Sequence, residues 1–419
     1  MKVLWIMYAP LGQLSKALGF GCAQSGTWID GAMDSLLEAD SNVELAVLTT
    51  AKIKETRRKN ENGVEYVCLN LGRCPRGKST SKAKLNVWLA EIKRINPDVI
   101  HIWGTEYSIG YDLARAIRNI PIVYRIQGAI NSISKYPNGH LPVRKMKQEL
   151  SFFDGLKANK YDKDSRFMEK QAEMELAMIK DSAAIFSDNE WALMQYQMKM
   201  PQLPVYFDQL PIREVFFENT WELDKVTPHS LFCLAGRTAY KGLHQAIEAV
   251  ALLKDEFPDI LLRIPGSIAS RNPKWLFEPT YITYLRKLIK KYGLEKNVEF
   301  LGALSSEQMA EYMLKSQLFI MPSVIENESA TLREAMTMGM PVVSAFAGDI
   351  YEVVVHKETG LLYRYEEYEH LAYFIKTLFS DTEFSVEMGK RAEAFLKEKY
   401  KEHDYGKILC DIYAKVLKQ

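Results

Sequence analysis

PSVIENESATLREAMTMGMPVVSA, Pro322 to Ala345, joins the end of one apolar run to the start of another. LFIMPS (318–323) reads as a strand that stops at Pro322. Ser329 is placed as an N-cap and ATLREAMTM (330–338) carries a helical pattern. Gly339, followed by Met340-Pro341, is a stop signal before the strand PVVSA (341–345). The N–H groups of Ala330, Thr331 and Leu332 then open a helix just beyond a strand, an arrangement that binds anions and phosphate in particular. Glu334 projects from the second turn, where a carboxylate can accept hydrogen bonds from vicinal hydroxyls, as on a ribose. Glu326 precedes the helix and can reach what lies beyond the phosphates. The plainer alternative leaves Glu334 to stabilise the positive helix end and Glu326 in solvent.

LFCLAGRTAYKGLHQAIEAVALL (231–253), upstream, repeats the plan of strand, loop and helix. Arg237 can hold phosphate oxygens bidentately and Lys241 adds a point charge. Gly236 and Gly242 let the backbone turn tightly around them. The loop is not a Walker sequence, and no G-x-G-x-x-G follows a strand.

The same alternation runs through most of the chain. VLWIMY (3–8), VELAVLT (43–49), VIHIW (99–103), IVYRI (122–126) and AAIFS (183–187) read as buried strands, with helical patterns such as AKLNVWLAEIKRI (83–95) between them. ILLRIPG (260–266) and NVEFLG (297–302) continue the second half. The α/β order predicts two doubly wound parallel sheets with a ligand site at the carboxyl ends of their strands, in a cleft between domains. Expected boundaries are residues 1–210 for an N-terminal domain, 211–230 for a linker and 231–395 for a C-terminal domain. Residues 396–419 are expected as a charged helical tail.

At 419 residues the chain exceeds one ordinary core. A formal net charge of +1 gives no global case for nucleic acid, and the basic runs at 52–59 and 73–84 read as solvated loops. Five cysteines without a C-x-x-C pair argue for reduced thiols in a cytosolic protein, and against a zinc cage. The N-terminal run is short and stopped by Pro10 and Gly12, so it reads as a strand and not a signal peptide. No apolar run reaches the roughly 20 residues that span a bilayer.

The pattern PS-x-x-E-x7-EAM-x-x-G-x-PVV, preceded by GR-x-x-x-KG, resembles the donor site of retaining glycosyltransferases of family 4, which have the GT-B fold. The similarity is strongest over residues 231–363. In the first half SGTWIDGAMDSLL (25–37), with Gly26, resembles the family's glycine turn, and DVIHIWGTE (98–106) and IVYRIQG (122–128) resemble its sugar-facing strand ends. The resemblance implies two Rossmann-like domains facing a cleft, with a C-terminal helix crossing back to the first. It implies that Arg237 and Lys241 bind a diphosphate, Glu334 a ribose, and the amides of Thr331 and Leu332 a phosphate. Glu326 would lie beside the transferred sugar. No metal or other cofactor is implied.

Asn327-Glu328-Ser329-Ala330 stands where the family usually has Phe-Gly, and the basic loop is one residue short of GR-x4-KG. Gln127 replaces a sugar-facing histidine, and His101 is the nearest alternative proton carrier. The implied activity is sugar transfer from a nucleoside diphosphate, UDP or GDP before ADP, to a carbohydrate or lipid-linked saccharide in bacterial polysaccharide or glycolipid assembly. The basic, aromatic connection 131–172 could contact a lipid headgroup from the cytoplasmic face, although a solvated loop is the simpler reading. A nucleotide-sugar 2-epimerase and a catalytically idle nucleotide-sugar-binding subunit are the alternatives.

Overall fold

The computed structural model describes residues 1–20, 28–40, 42–150, 161–268, 280–327, 329–401 and 404–418. Two compact units divide the chain. Met1–Lys135, Arg166–Pro211 and His403–Gln419 make the first; Tyr136–Ser165 and Ile212–Glu402 make the second.

The first unit is built on β1 (Lys2–Ile6), β2 (Glu44–Ala51), β3 (Arg57–Glu61), β4 (Val64–Asn70), β5 (Val99–Trp103), β6 (Ile122–Arg125), β7 (Ala184–Ser187) and β8 (Val205–Phe207). Their order in the sheet is β3-β4-β2-β1-β5-β6-β7-β8, and every pairing is parallel except β3 with β4. Continuous apolar runs such as Val3–Ile6 are buried because helices cover both faces. Part of the basic run 52–59, expected as a loop, is the exposed edge strand β3. Asn62 and Gly63, both at positive φ, turn it back onto β4. Its cations guard the edge against pairing with another chain, and Arg58 grips Glu91 through two hydrogen bonds of 2.9 and 2.7 Å.

The second unit contains β9 (Thr227–Cys233), β10 (Leu261–Ile264), β11 (Val298–Phe300), β12 (Ser316–Met321), β13 (Val342–Ala345) and β14 (Leu361–Tyr363). They form a parallel sheet in the order β11-β10-β9-β12-β13-β14. This is the doubly wound order in which the winding reverses between the first strand and the fourth, here β9 and β12.

The structure departs from the expected boundaries in three places. The segment 211–230 is no free linker: from Ile212 onward it belongs to the second unit. Phe216 and Trp221 are buried there, and the Trp221 indole donates to the Ser316 carbonyl at 2.8 Å. Its aromatics are anchors. Residues 136–150, expected in the N-terminal domain, also belong to the second unit. The tail divides too, since the helix Thr382–Tyr400 stays with the second unit while Tyr405–Val416 returns to the first. Tyr405, Leu409, Ile412, Tyr413 and Val416 bury one helical face of that last element. Gly406 permits the contact, because a Cβ there would fall 1.8 Å from the Ser35 carbonyl oxygen in the helix Trp28–Ala39.

Candidate functional site

In the second unit the chemistry collects past the carboxyl ends of β9 and β12, where the winding reverses. After β9 the chain passes Gly236 and Arg237, makes one tight turn over Ala239–Lys241 and enters the helix Leu243–Leu253 through Gly242. Gly242 has φ +72, and a Cβ there would fall 1.6 Å from the Pro322 carbonyl oxygen at the end of β12. The two loops therefore touch backbone to backbone. The Val324 amide donates to the Tyr240 carbonyl at 2.9 Å and ties them again.

That contact brings Lys241 to Glu326. The Lys241 Nζ lies 2.8 Å from each oxygen of the carboxylate. Glu326 is buried, whereas Lys241 keeps a third of its side chain exposed. Burial alone would lower the lysine pKa; the adjacent Glu326 charge holds it above the ordinary value. Behind Glu326 stands Gly348, at φ +54, where a Cβ would fall 1.7 Å from the Glu326 carbonyl oxygen. The buried Arg333–Asp349 pair, 2.7 Å apart, fastens the Gly348 loop to the helix Ala330–Thr337.

Glu334 is also paired, with Arg213. The guanidinium donates from Nε at 2.7 Å and from a terminal nitrogen at 2.8 Å, one to each carboxylate oxygen. Burial raises the Glu334 pKa, and Arg213 opposes the shift. Arg213 escaped the sequence reading because it lies in the supposed linker, 121 residues from its partner. Ser329 precedes the helix as expected but makes no capping hydrogen bond, and its Oγ lies 3.6 Å from the Met321 sulfur instead. It leaves the first-turn N–H groups, with those of Thr331 and Leu332, to another acceptor. Arg237 donates to the Ser267 carbonyl beyond β10. Arg286, not anticipated from the sequence, donates to the neighbouring Ile268 carbonyl at 3.5 Å.

The first unit does not give His101 the role expected of it. All five residues of β5 are buried, and the His101 ring stacks on Trp103 with centroids 4.4 Å apart. Trp5 and Phe186 meet it edge-on, and its Nδ1 lies 2.6 Å from the Tyr413 hydroxyl. Burial pushes its pKa well below that of an ordinary histidine. It is a fully buried core residue that favours the neutral ring. Gln127, half-buried, lies beyond β6 beside Gly104. Glu106, in a stretch already noted, lies there too, where Gly104 and Gly128 leave room for its carboxylate. Burial raises its pKa, which backbone N–H groups and Arg76 partly offset. Gly26 and residues 151–160 of the basic connection lie outside the described residues. Among the described residues no three His, Cys, Asp or Glu side chains are placed to hold a metal, and no helix is long and apolar enough to cross a membrane.

Residues 216–395 match the family described as Glycosyl transferases group 1. A D-inositol 3-phosphate glycosyltransferase of Pseudarthrobacter chlorophenolicus is 30% identical over 173 residues, 41% of this chain and 39% of that protein. The chain spans about half or less of the length of the first curated relatives it matches. Among solved structures, sucrose-phosphate synthase from Thermosynechococcus elongatus aligns with a TM-score of 0.76 and 15% identity, covering 100% of this chain and 99% of that one. The Anabaena protein HepE in complex with UDP-glucose aligns at 0.65, also at 15% identity, covering 100% and 99%. The fold is GT-B, and the match to the glycosyl transferases group 1 model lies within the second unit.

Proposed function

We propose that the chain is a retaining, metal-independent glycosyltransferase whose nucleoside-diphosphate-sugar binds over the Lys241–Glu326 pair. That pair, presented past β9 and β12 beside a helix start, is the observation that carries the reading. Arg237 and Lys241 neutralise the diphosphate, helped by the N–H groups of Thr331 and Leu332. Lys241 holds the Glu326 carboxylate by both oxygens, and the remaining lone pairs orient hydroxyls of the transferred sugar. Glu334, held by Arg213 through both oxygens, keeps a lone pair on each for the ribose hydroxyls.

In the transfer step the bond from the anomeric carbon to the leaving phosphate oxygen breaks, and a bond to the acceptor oxygen forms on the same face. The acceptor proton passes to the leaving phosphate, so no side chain need carry it. That suits a chain with Gln127 where the family it resembles usually has a histidine. The protein supplies position and charge stabilisation. Uridine is the first base to test, because a fold neighbour, HepE of Anabaena, was solved in complex with UDP-glucose. We read the acceptor as a carbohydrate or lipid-linked saccharide of surface-polysaccharide or glycolipid assembly. The four described cysteines are free, which suits a reducing, cytoplasmic setting.

Thermal unfolding with UDP-, GDP- and ADP-sugars in EDTA tests the donor site. A ligand at a hundredfold its dissociation constant adds about 2.7 kcal/mol of stability. One nucleotide giving a metal-independent shift supports the reading, and no shift with any of them would refute it. Nucleoside diphosphate release then separates an enzyme from an idle binding subunit. Glu326→Gln should lose turnover while keeping nucleotide affinity.

A further inference from the structure

We infer that the strap Tyr136–Leu150, contributed from the middle of the first half of the chain, sets the position of the Arg237–Gly242 loop, and that Gly139 and Tyr365 are positioning residues for the donor diphosphate. The inference rests on the donor reading above.

The strap is built into the second unit. Leu141, Met146 and Leu150 are buried in its core. Lys145 pairs with the buried Glu248 at 2.9 Å, on the helix that begins directly after Gly242. Glu149 pairs with Lys291 on the helix Thr280–Lys291.

Its closest approach is at the phosphate loop. Gly139 has φ +55, and a Cβ there would fall 2.3 Å from the Ala239 carbonyl oxygen and 2.9 Å from the Tyr240 Cα. Only glycine fits, for its backbone angle and for the contact. The Gly139 carbonyl accepts a 2.6 Å hydrogen bond from the Tyr365 hydroxyl, which also lies 3.3 Å from the His244 Nε2. The Tyr365 ring stands against Gly242, 3.1 Å from the position of a Cβ there.

On its other side the same loop meets Pro322 through Gly242 and Val324 through Tyr240. The Tyr240–Lys241 backbone is therefore held between the strap and the loop that carries Glu326. A shift of the strap moves Lys241 relative to Glu326 without touching either side chain. Such misplacement is costly where a charged group must meet a phosphate oxygen, since about 1 Å can cost about a hundredfold.

The test titrates UDP and UMP, with GDP and GMP in parallel, into the full chain. The proteins are wild type, Gly139→Ala, Tyr365→Phe and a control, Leu396→Ala. Leu396 is buried in the other core of the second unit, so its truncation costs stability away from the loop. Gly139→Ala should weaken the diphosphate by roughly tenfold, the value of about one charge-assisted hydrogen bond. The monophosphate should change far less, so the preference for diphosphate over monophosphate falls. Tyr365→Phe keeps the ring and should move the preference the same way by a smaller factor, and Leu396→Ala should leave it unchanged. An unchanged preference in both Gly139→Ala and Tyr365→Phe, with the wild type binding normally, would overturn the strap's role alone. Failure of the wild type to bind any of the four nucleotides would overturn the donor reading and the strap's role with it.

Discussion

The two sheets wind alike, yet their polar residues do different work. In the second sheet Lys241, Glu326 and Arg237 lie past the strand ends, on loops brought close by Gly242 and Gly348, and Lys241 keeps a third of its side chain exposed. In the first sheet His101 and Arg125 lie within their strands, while Asp188 and Asp208 follow β7 and β8 directly. All four are fully buried. Arg125 pairs with Asp208, Tyr405 donates to Asp208 at 3.3 Å, and His101 meets Tyr413. This polar group fastens the returning C-terminal helix to the first sheet. Residue type does not separate a site from a staple: the cations past the second sheet, Arg237 and Lys241, stay partly exposed, whereas the polar group of the first sheet is closed in the core.

Glu326→Gln against His101→Phe breaks the comparison most sharply. The first should lower turnover by about 10²–10³-fold, as expected when a group acting on the reacting sugar is lost. The second should leave turnover of the folded protein unchanged. Release of nucleoside diphosphate by matched concentrations of folded protein measures both, and equal losses would erase the distinction between the sheets.

Asp208→Ala should produce the next largest effect, on stability. Burial lifts the Asp208 pKa to about 7 against the pull of Arg125. Removing the carboxylate strips a fully buried guanidinium of its closest partner, which costs about 3–5 kcal/mol. Urea unfolding should show the loss, while nucleotide affinity of the folded fraction stays as in the wild type.

His101→Phe should cost least, about 1–2 kcal/mol for the lost hydrogen bond to Tyr413. Its pH dependence has a definite sign. The folded pKa lies below that of an unfolded histidine, so the native state favours the neutral ring. The histidine's contribution is complete above about pH 6.5 and is lost as pH falls toward the folded value. The stability gap between wild type and variant should therefore be constant above neutrality and narrow in acid. A gap that widens in acid would mean that the ring is charged in the folded protein.

Much of the second unit was legible because its information is local. Strand, glycine turn, Arg237, Lys241 and the glutamate spacing fall within short windows whose order dictates a parallel sheet. What escaped was non-local. Nothing near Arg213 announces Glu334, and nothing near Gly139 announces Ala239. His101 misled because a lone histidine in an apolar run looks the same whether its side chain ends in a cleft or in the core. The β3–β4 hairpin was readable from Asn62-Gly63, but the basic residues around it drew a loop assignment. β14 went unread because Leu361–Tyr363 is only three residues long.

The most direct measurement is calorimetric titration of the UDP-sugar or GDP-sugar that stabilises the wild type, repeated in EDTA with Lys241→Met. Metal-independent binding by the wild type, weakened about tenfold or more in the variant, is the expected result for a diphosphate held by that cation. Equal affinity in the two proteins would contradict it and place the donor elsewhere.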